Sequence, residues 1–362
     1  MVVSKLDKIS VQAHDRKYFI KFVSDLSDLL EELSLLEENS YFLIDRKFNN
    51  LHKISQNFPI ENIIFVNSSE KIKNLSFVNE IIYKLKKKNI NKNSTIIAIG
   101  GGTLQDVSQF VASIFYRGIH FVFVPTTLQA ITDSCMGGKT SINLDFFKNQ
   151  LGTFYSPTKV LIYTNFISTL PIKELRGGYA ELIKLLIIGR FRNFDLLYES
   201  IEKNIYDLEN IAGFIKKALS VKKKYVEIDE FDVSERKILN YGHTFAHAIE
   251  TILKNKITHG NATALGINLA NFYSYKNELT SLKFFEYHFQ FFNSFYQFNK
   301  ISSFKELNGK NIVSQFIHDK KMKINGNIDL IIPINNQINI LEVSLDTNLE
   351  SSINEFFELI QD

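Results

Sequence analysis

Three of the eight histidines in this sequence lie close together, at His243, His247 and His259. His243 and His247 are four positions apart in the segment YGHTFAHAIE, so a helix would place both on one face. Convergent imidazoles with a carboxylate are a typical ligand set for a divalent metal. The candidate carboxylate is Glu181, which lies between apolar residues in YAELIK and needs a partner if it is buried. These residues favour a metal site, with a hydrogen-bonded histidine network as the alternative.

A second group of polar residues lies in the segment DSCMGGKTSINLDFFKN, which contains Asp133, Lys139, Lys148 and Asn149. Glycines punctuate this segment and expose backbone N–H groups beside the lysines. Cationic side chains next to such N–H groups suit a phosphate ligand. The segment therefore predicts a phosphate-binding loop, with solvated loop lysines as the alternative.

Three consecutive glycines, at 100–102, directly follow an apolar run and precede a helical stretch that contains Asp106. Glycines at such a place let backbone N–H groups approach a diphosphate closely, with the N-terminus of a helix behind them. The spacing is GGGxxxD and not GxGxxG, so a purely structural turn is the alternative. Pro125, Thr126 and Thr127 close the next apolar run, at the edge where ligands of open α/β sheets bind. Together these features favour a dinucleotide site.

The elements that must position these residues follow from the spacing of apolar side chains. Short runs rich in β-forming residues predict strands at 40–45, 62–66, 95–99 and 120–124. An amphipathic helix is predicted between them, at 76–88. Alternation of strands and helices is typical of a parallel, Rossmann-like sheet.

The pattern changes after Val160, where helical periods become longer and strand candidates become rare. It predicts helices at 174–189, 208–226 and 241–254 and strands at 329–333 and 338–343. We therefore predict an α/β plus α fold, with an N-terminal Rossmann-like parallel-sheet domain and a C-terminal mostly helical metal- and substrate-binding domain. The predicted domains are residues 1–158 and 159–362, with the ligand in the cleft between them.

The composition narrows the class of protein. The chain has 362 residues, which exceeds the size at which a single hydrophobic core is usual, so two domains are expected. The net charge is +3 and no stripe of Lys and Arg dominates, so we expect no nucleic-acid partner. The sequence lacks an apolar run of membrane-spanning length and the apolar core of a signal peptide, so we expect no membrane association. One cysteine, Cys135, fits a reducing, cytoplasmic location.

Several segments follow one another along the chain, and they are GGGTLQD, YRG, VPTTL, DSCMGGKTSIN, KNQLG, TLP, GYAELIK, LNYGHTFAHAIE, HG and HDKK. They fall between about Thr95 and Asn325. In their order and separations they resemble the 3-dehydroquinate synthase family of sugar phosphate cyclases, so the chain resembles this family over most of its length. The resemblance implies a carbon–oxygen lyase that converts 3-deoxy-D-arabino-heptulosonate 7-phosphate to 3-dehydroquinate and phosphate, in the shikimate pathway of aromatic amino acid biosynthesis. The implied course is transient oxidation by NAD, elimination of phosphate, reduction and aldol cyclisation.

The resemblance also implies a role for individual residues. Glu181, His243 and His259 would hold zinc or cobalt, and His247 would lie near the substrate phosphate without binding the metal. The residues implied to surround the sugar phosphate are Asp133, Lys139, Asn149, Lys184, Lys222, Arg236, Asn240 and one of Lys320 and Lys321. Those implied to bind NAD are Asp45, Glu70, Lys73, Gly101, Gly102, Asp106, Thr126, Thr127, Lys139, Lys148, Phe166, Thr169 and Leu170. Arg117 would reach the active site of the neighbouring subunit in a homodimer.

Three residues depart from the family pattern. Gln105 and Phe147 stand where glycine is usual, and Asn261 replaces the glutamate that commonly follows His-Gly. Gln105 is expected to crowd the diphosphate of NAD, and Phe147 is expected to reshape the loop near the phosphate.

Other functions remain open at this point. Lys222 and Arg236 stand where the family binds a substrate carboxylate, which favours the heptulosonate phosphate. A 2-epi-5-epi-valiolone-type or 2-deoxy-scyllo-inosose-type synthase, whose substrate lacks that group, would not need this pair. The predicted phosphate-binding residues disfavour a glycerol-dehydrogenase-like metal-dependent alcohol dehydrogenase. The full set of site residues disfavours a non-catalytic NAD-binding scaffold.

Overall fold

The computed structural model describes residues 8–36, 39–145, 147–254, 256–298, 306–317 and 326–361. These residues form two compact units. Unit 1 consists of the described residues of Met1–Pro171 together with Ile211–Phe231, and unit 2 consists of those of Ile172–Asn210 together with Asp232–Asp362. The domain boundary predicted at residue 158 stays a prediction. No helix in the described ranges is both long and apolar enough to cross a membrane.

Within the described residues, nine strands belong to unit 1. They are β1 (Lys8–Gln12), β2 (Lys17–Phe22), β3 (Ser40–Asp45), β4 (Ile63–Val66), β5 (Thr95–Gly100), β6 (His120–Pro125), β7 (Ile142–Leu144), β8 (Phe147–Leu151) and β9 (Lys159–Ile162). Seven of them form a sheet in the order β1-β2-β9-β6-β5-β3-β4, and its neighbours are parallel except for β1 and β2. β7 and β8 form a separate antiparallel hairpin. The predicted parallel, Rossmann-like sheet is therefore confirmed.

The strand order of this sheet creates a switch point between β3 and β5. These two strands are neighbours in the sheet. After β3 the chain continues to β4 on one side of the pair, and after β5 it continues to β6 on the other side. Ligands of open α/β sheets bind outside the carboxyl ends of the strands at such a point. β3 ends at Asp45 and β5 ends at Gly100, so these residues flank the expected ligand position in unit 1.

Twelve α-helices occur in the described residues. They are α1 (Leu26–Ser34), α2 (Arg46–His52), α3 (Leu75–Lys87), α4 (Gly102–Ile114), α5 (Ile172–Ile188), α6 (Phe194–Lys203), α7 (Leu208–Ile228), α8 (His243–Leu253), α9 (His259–Lys276), α10 (Leu282–Tyr296), α11 (Gly309–Ile317) and α12 (Thr347–Gln361). Unit 2 also contains an antiparallel hairpin, β10 (Asn327–Ile334) and β11 (Gln337–Ser344). All helices and strands predicted from the sequence are present, with ends that differ by at most two residues.

Helix α9 is the central helix of unit 2. Its residues from Ala262 to Ser274 are buried on every side, which is typical of a helix inside a helical core. It packs against α5, α8, α10 and α12. The side chain of Thr258 caps its N-terminus by accepting a hydrogen bond from the backbone N–H of Asn261 at 3.3 Å, so the helix begins at His259.

Candidate metal and cofactor sites

Unit 2 brings Glu181, His243 and His259 together from three helices. Glu181 lies inside α5, and the two histidines are the first residues of α8 and α9. Oε1 of Glu181 is 3.4 Å from Nε2 of His243 and 3.6 Å from Nε2 of His259. In a tetrahedral zinc site, bonds of about 2.1 Å place the ligand atoms roughly 3.4 Å apart. The three side chains are therefore spaced to hold one divalent ion.

The carboxylate of Glu181 supports this assignment because it is fully buried. Neither of its oxygens receives a well-aligned hydrogen bond from a described residue, although Nζ of the buried Lys184 lies 2.5 Å from Oε2. A buried carboxylate is costly unless it is paired and fully hydrogen-bonded. A metal ion at Oε1, with Lys184 at Oε2, would compensate both oxygens.

Close contacts between glycines bring the three helices near enough to form the site. A Cβ added to Gly260 would lie 1.9 Å from Cα of Gly177, so α9 and α5 touch through their backbones beside His259. A Cβ added to Gly266 would lie 2.2 Å from the backbone oxygen of Gly242, which precedes His243. Both contacts require residues without side chains. The first holds α9, which carries His259, against α5, which carries Glu181. The second holds the start of α8, which carries His243, against α9.

The three groups differ in protonation because their surroundings differ. Burial raises the pKa of Glu181, but interactions with Lys184 and His243 hold that pKa well below its usual range. Burial and the charge of Lys184 lower the pKa of His243, which keeps its imidazole in the neutral, metal-binding form. Burial also acts to lower the pKa of His259, but interactions with the carboxylates of Glu181 and Glu250 outweigh it and raise the pKa to about 10. An incoming ion therefore has to displace a proton from His259.

His247 lies on the exposed side of α8 next to this site. Its ring centroid is 5.7 Å from that of His243 and 6.4 Å from that of His259. It does not belong to the set of described ligand atoms that lie within 4.8 Å of one another, which consists of Glu181, His243 and His259. Its role near the phosphate stays a prediction.

Two further residues at the site were missed by the sequence analysis. Nδ1 of His243 lies 3.3 Å from the backbone oxygen of Tyr241, and Nδ1 of His259 lies 3.2 Å from Oε2 of Glu250. Glu250 lies seven positions after His243 in HTFAHAIE, so the helical period was a signal that could have identified it. The carbonyl group of Tyr241 had no such signal, since any residue provides one.

Unit 1 places the glycine turn at the switch point of its sheet. Gly101 precedes α4, and no side chain caps this helix. A Cβ added to Gly101 would lie 3.1 Å from Cγ2 of Thr127, and one added to Gly100 would lie 3.4 Å from Cβ of Asp45. Asp45, Gly101 and Thr127, which lie at or just after the ends of β3, β5 and β6, are therefore next to the N-terminus of α4, which no side chain caps. An anion such as a diphosphate fits this arrangement because the N-terminal N–H groups of a helix need acceptors.

A network of charged and polar side chains lies beside this turn. The buried Lys73 contacts both Oδ2 of Asp106 and Oδ1 of Asn149 at 2.8 Å. Nδ2 of Asn143 donates to Oε1 of Glu70 at 2.8 Å, and Oδ1 of Asn143 accepts the backbone N–H of Asn149 at 2.9 Å. Burial raises the pKa of Asp106 to about 6 although Lys73 acts in the opposite direction. The structure therefore brings predicted NAD residues into contact with Asn149, which was predicted to bind substrate.

Gln105 does not extend in front of the turn. Its side chain is 3% exposed. Nε2 donates to the backbone oxygen of Ser134 at 2.6 Å and to Oε1 of Gln109 at 3.0 Å, and Oε1 accepts from Oγ of Ser134 at 2.5 Å. A side chain held inside unit 1 in this way occupies little of the solvent-filled space in which a ligand would bind. The structure thus gives no support to the expected crowding of the diphosphate.

The remaining predicted residues fall into both units. Nζ of Lys222 bonds the carboxylate of Asp133 and, at 2.5 Å, its backbone oxygen, within unit 1. Of the predicted residues of unit 1, six are exposed, namely Glu70, Arg117, Lys139, Lys148, Asn149 and Thr169, and Phe147 is 67% exposed. Lys184 and Arg236 are buried in unit 2, where Asn240 is half-buried. Lys320 and Lys321 lie outside the described residues.

Four further predicted NAD residues are Thr126, Phe166, Thr169 and Leu170. Thr126 is buried at the end of β6. The ring of Phe166 packs against Phe48 in the core, with centroids 4.7 Å apart. Oγ1 of Thr169 lies 3.0 Å from Nε2 of His52, and Leu170 is half-buried. Their contact with NAD stays a prediction.

Comparison with protein families gives two adjoining matches. Residues 63–177 match the family model described as 3-dehydroquinate synthase N-terminal, and residues 178–322 match the one described as 3-dehydroquinate synthase C-terminal. The 3-dehydroquinate synthase of Pelagibacter ubique is 39% identical over 331 residues, which cover 87% of this chain and 89% of the relative. That of Campylobacter concisus is 43% identical over 211 residues, covering 58% and 60%.

Solved structures give matches along the same length. A 2-deoxy-scyllo-inosose synthase complexed with carbaglucose-6-phosphate, NAD+ and Co2+ has a TM-score of 0.83 and 25% identity, over 96% of this chain and 99% of that one. A 2-epi-5-epi-valiolone synthase from Streptomyces hygroscopicus subsp. jinggangensis with NAD+ and Zn2+ bound has a TM-score of 0.80 and 18% identity, over 99% and 100%. The second match bears on the fold alone. Both confirm the predicted fold class.

Proposed function

This chain belongs to the 3-dehydroquinate synthase family, and we propose that it converts 3-deoxy-D-arabino-heptulosonate 7-phosphate to 3-dehydroquinate and phosphate with NAD and zinc or cobalt. The observation that carries the proposal is the triad of the buried Glu181 and His243 with the half-buried His259, whose ligand atoms lie within 4.8 Å of one another. We class the activity as a carbon–oxygen lyase because phosphate leaves by elimination. The reaction belongs to the shikimate pathway of aromatic amino acid biosynthesis. The free, buried thiol of Cys135 is compatible with a cytoplasmic location.

The triad fits a divalent ion and leaves it with a positive charge. Two neutral imidazoles and one carboxylate would leave a bound zinc or cobalt ion with a net charge of about +1, which would favour binding of substrate oxygens. Bound NAD supplies a reversible oxidation of a ring alcohol, and the bound ion supplies Lewis-acid polarisation of the oxygen involved. Lys184 holds Oε2 of Glu181 by its ammonium group, which leaves Oε1 directed at the two histidines.

NAD is proposed to bind unit 1 across the carboxyl ends of β3 and β5. The uncapped N-terminus of α4, after Gly101, would donate backbone N–H groups to the diphosphate. Lys73 and Asp106, also proposed to contact NAD, would stabilise this turn through their ion pair. The remaining proposed contacts to NAD are Asp45, Glu70, Gly102, Thr126, Thr127, Lys139, Lys148, Phe166, Thr169 and Leu170.

The substrate is proposed to be bound through its two anionic groups. Lys222 and Arg236 would bind the carboxylate, and since Lys222 already bonds Asp133, the substrate would share its ammonium group with that residue. Lys139, Asn149 and Lys184 would bind the phosphate, with His247 close enough to exchange a proton with it. Asn240 and one of Lys320 and Lys321 would complete the contacts.

A homodimer is proposed, and it is supported by the exposure of Arg117 and by its unusual backbone conformation. Its φ of 61° lies between positive values at Tyr116 (49°) and Gly118 (109°). Three successive residues in this backbone region make a sharp turn that non-glycine residues adopt only when the surroundings require it. The hydroxyl group of Tyr116 fixes the turn by accepting a hydrogen bond from Nζ of Lys86 at 2.6 Å. We propose that Arg117 reaches the phosphate in the partner subunit.

The test is phosphate release from the heptulosonate phosphate in the presence of NAD and zinc or cobalt, beside the same assay with sedoheptulose 7-phosphate, which lacks the carboxylate. The wild type should prefer the first sugar. Arg236→Ala should lower kcat/KM for it by about a hundredfold or more, because a charge-assisted contact is lost. Arg190→Ala is a control, since Arg190 is exposed and bonds Gln337. A wild-type preference for sedoheptulose 7-phosphate would favour the valiolone-type alternative.

A further inference from the structure

The two histidine ligands of the proposed site have different partners on their second ring nitrogen. Both rings direct Nε2 at Glu181, so Nδ1 of each ring points away from it. His243 places its Nδ1 3.3 Å from the backbone oxygen of Tyr241. His259 places its Nδ1 3.2 Å from the carboxylate oxygen Oε2 of Glu250. One ligand thus has a neutral partner and the other an anionic one.

This difference matches the exposure of the two rings. The side chain of His243 is 11% exposed, whereas that of His259 is 35% exposed. A carbonyl group is sufficient to orient a ring that water does not reach. A more exposed ring can exchange its Nδ1 hydrogen bond with water, and a carboxylate resists this exchange because a charge-assisted bond is stronger.

Helix α8 couples the two ligands. His243 and Glu250 are seven residues apart, so they lie on the same helix face. The helix therefore contributes one ligand at its first residue and the partner of the other ligand two turns later. The glycine contact between Gly242 and Gly266 fixes this helix against α9, which carries His259.

We propose that Glu250 is a positioning residue of the metal site, which accepts the Nδ1–H of His259 and thereby keeps Nε2 free to bind the ion. The inference rests on the proposed function, since it requires a metal at Glu181, His243 and His259. The carboxylate fixes the tautomer and the orientation of the ring and makes Nε2 a stronger donor to the ion. Its charge also offsets the net charge of about +1 that the ion and its ligands carry.

The experiment measures metal binding without NAD or sugar phosphate. The affinity of the protein for Co2+ is determined by competition with a chromogenic chelator, and the visible absorption of the bound cobalt is recorded. Glu250→Gln should weaken binding by about 10- to 100-fold and shift the cobalt absorption bands. Glu250→Asp, which keeps the charge but shortens the side chain, should give an intermediate affinity.

Glu32→Gln is the matched control. Its side chain is 17% exposed, close to the 20% of Glu250, and it pairs with Lys21 and Lys159 in unit 1. It should bind cobalt as the wild type does. A structural role for Glu250 would lower the melting temperature of the metal-free protein and leave the cobalt affinity and spectrum unchanged, which would overturn the inference.

Failure of the proposed function gives a different result. If wild-type protein binds no cobalt or zinc, both the function and this inference are wrong. If the wild type binds cobalt and Glu250→Gln binds it within twofold as tightly with the same spectrum, only the inference is wrong. If Glu250→Gln does not fold, Glu250→Asp tests the inference instead. The inference is wrong if Glu250→Asp binds cobalt as tightly as the wild type does, because the position of the carboxylate would then not matter.

Discussion

Gly260 and Gly177 touch backbone to backbone, so closely that a Cβ on Gly260 would lie 1.9 Å from Cα of Gly177. Gly260 follows the proposed ligand His259, and Gly177 lies one helical turn before Glu181 on α5. The distance between these two ligands is therefore set by a contact that excludes every side chain. The geometry of the site depends on helix packing as much as on the ligands themselves.

Gly260→Ala should separate α5 from α9 and move Glu181 away from His259. We expect at least a tenfold loss of metal affinity and a destabilisation of about 1–3 kcal/mol, as is usual for overpacking. Metal content after dialysis and thermal unfolding measure the two effects. Gly213→Ala is the control, because a Cβ there meets nothing within 4 Å and alanine favours the helix. Full metal content in Gly260→Ala would show that the site tolerates the separation.

His247→Ala should retain the metal while turnover falls. The ring lies outside the set of three ligands but close to it, so its loss removes a group for proton transfer and leaves the ion in place. Elemental analysis of His247→Ala and His243→Ala, beside steady-state kinetics, provides the comparison. Equal metal loss in both variants would mean that the ligand set is assigned incorrectly.

Gln105→Gly separates two interpretations of this departure from the family pattern. If Gln105 crowds the diphosphate, the variant should bind NAD more tightly. The bonds to Ser134 and Gln109 lead us to expect no gain in NAD affinity and a loss of about 1–3 kcal/mol in the free energy of unfolding. NAD titration and denaturant unfolding measure both quantities. Tighter NAD binding at unchanged stability would restore the crowding hypothesis.

Much of the site was predictable because the spacing of residues along a helix and the ends of strands can be recognised in a sequence. His243, His247 and Glu181 could be identified from their neighbours, and Asp45 and the glycine turn from the end of an apolar run. The partners of buried groups could not be identified in this way. The contacts of Lys222 with Asp133 and of Gln105 with Ser134 join residues far apart in the chain, so they depend on how elements pack.

His288 should make the protein sensitive to acid. It is buried on α10 with Nδ1 2.7 Å from the hydroxyl group of Tyr198, and burial lowers its pKa to about 3. The unfolded state binds a proton near pH 6.5, so stability is lost as the pH falls from that value towards 3. The slope from this residue approaches about 1.4 kcal/mol per pH unit.

Urea unfolding of the wild type and of His288→Asn at several pH values between 7 and 4 measures this slope. The asparagine variant retains an acceptor for Tyr198 but cannot take up a proton in this range. It should lose less stability on acidification than the wild type does. Parallel pH profiles for the two proteins would exclude His288 as a source of the acid sensitivity.

The division of the chain between the two units has a consequence for its synthesis. Unit 1 needs Ile211–Phe231, which the ribosome produces only after the first part of unit 2, Ile172–Asn210. Domains usually fold in sequence order as they emerge from the ribosome. Here unit 1 cannot complete its fold until part of unit 2 has already been synthesised. A fragment ending at residue 158 would lack α7 and so leave Asp133 without Lys222. Neither unit should therefore be obtainable as an autonomous fragment by a single cut in the chain.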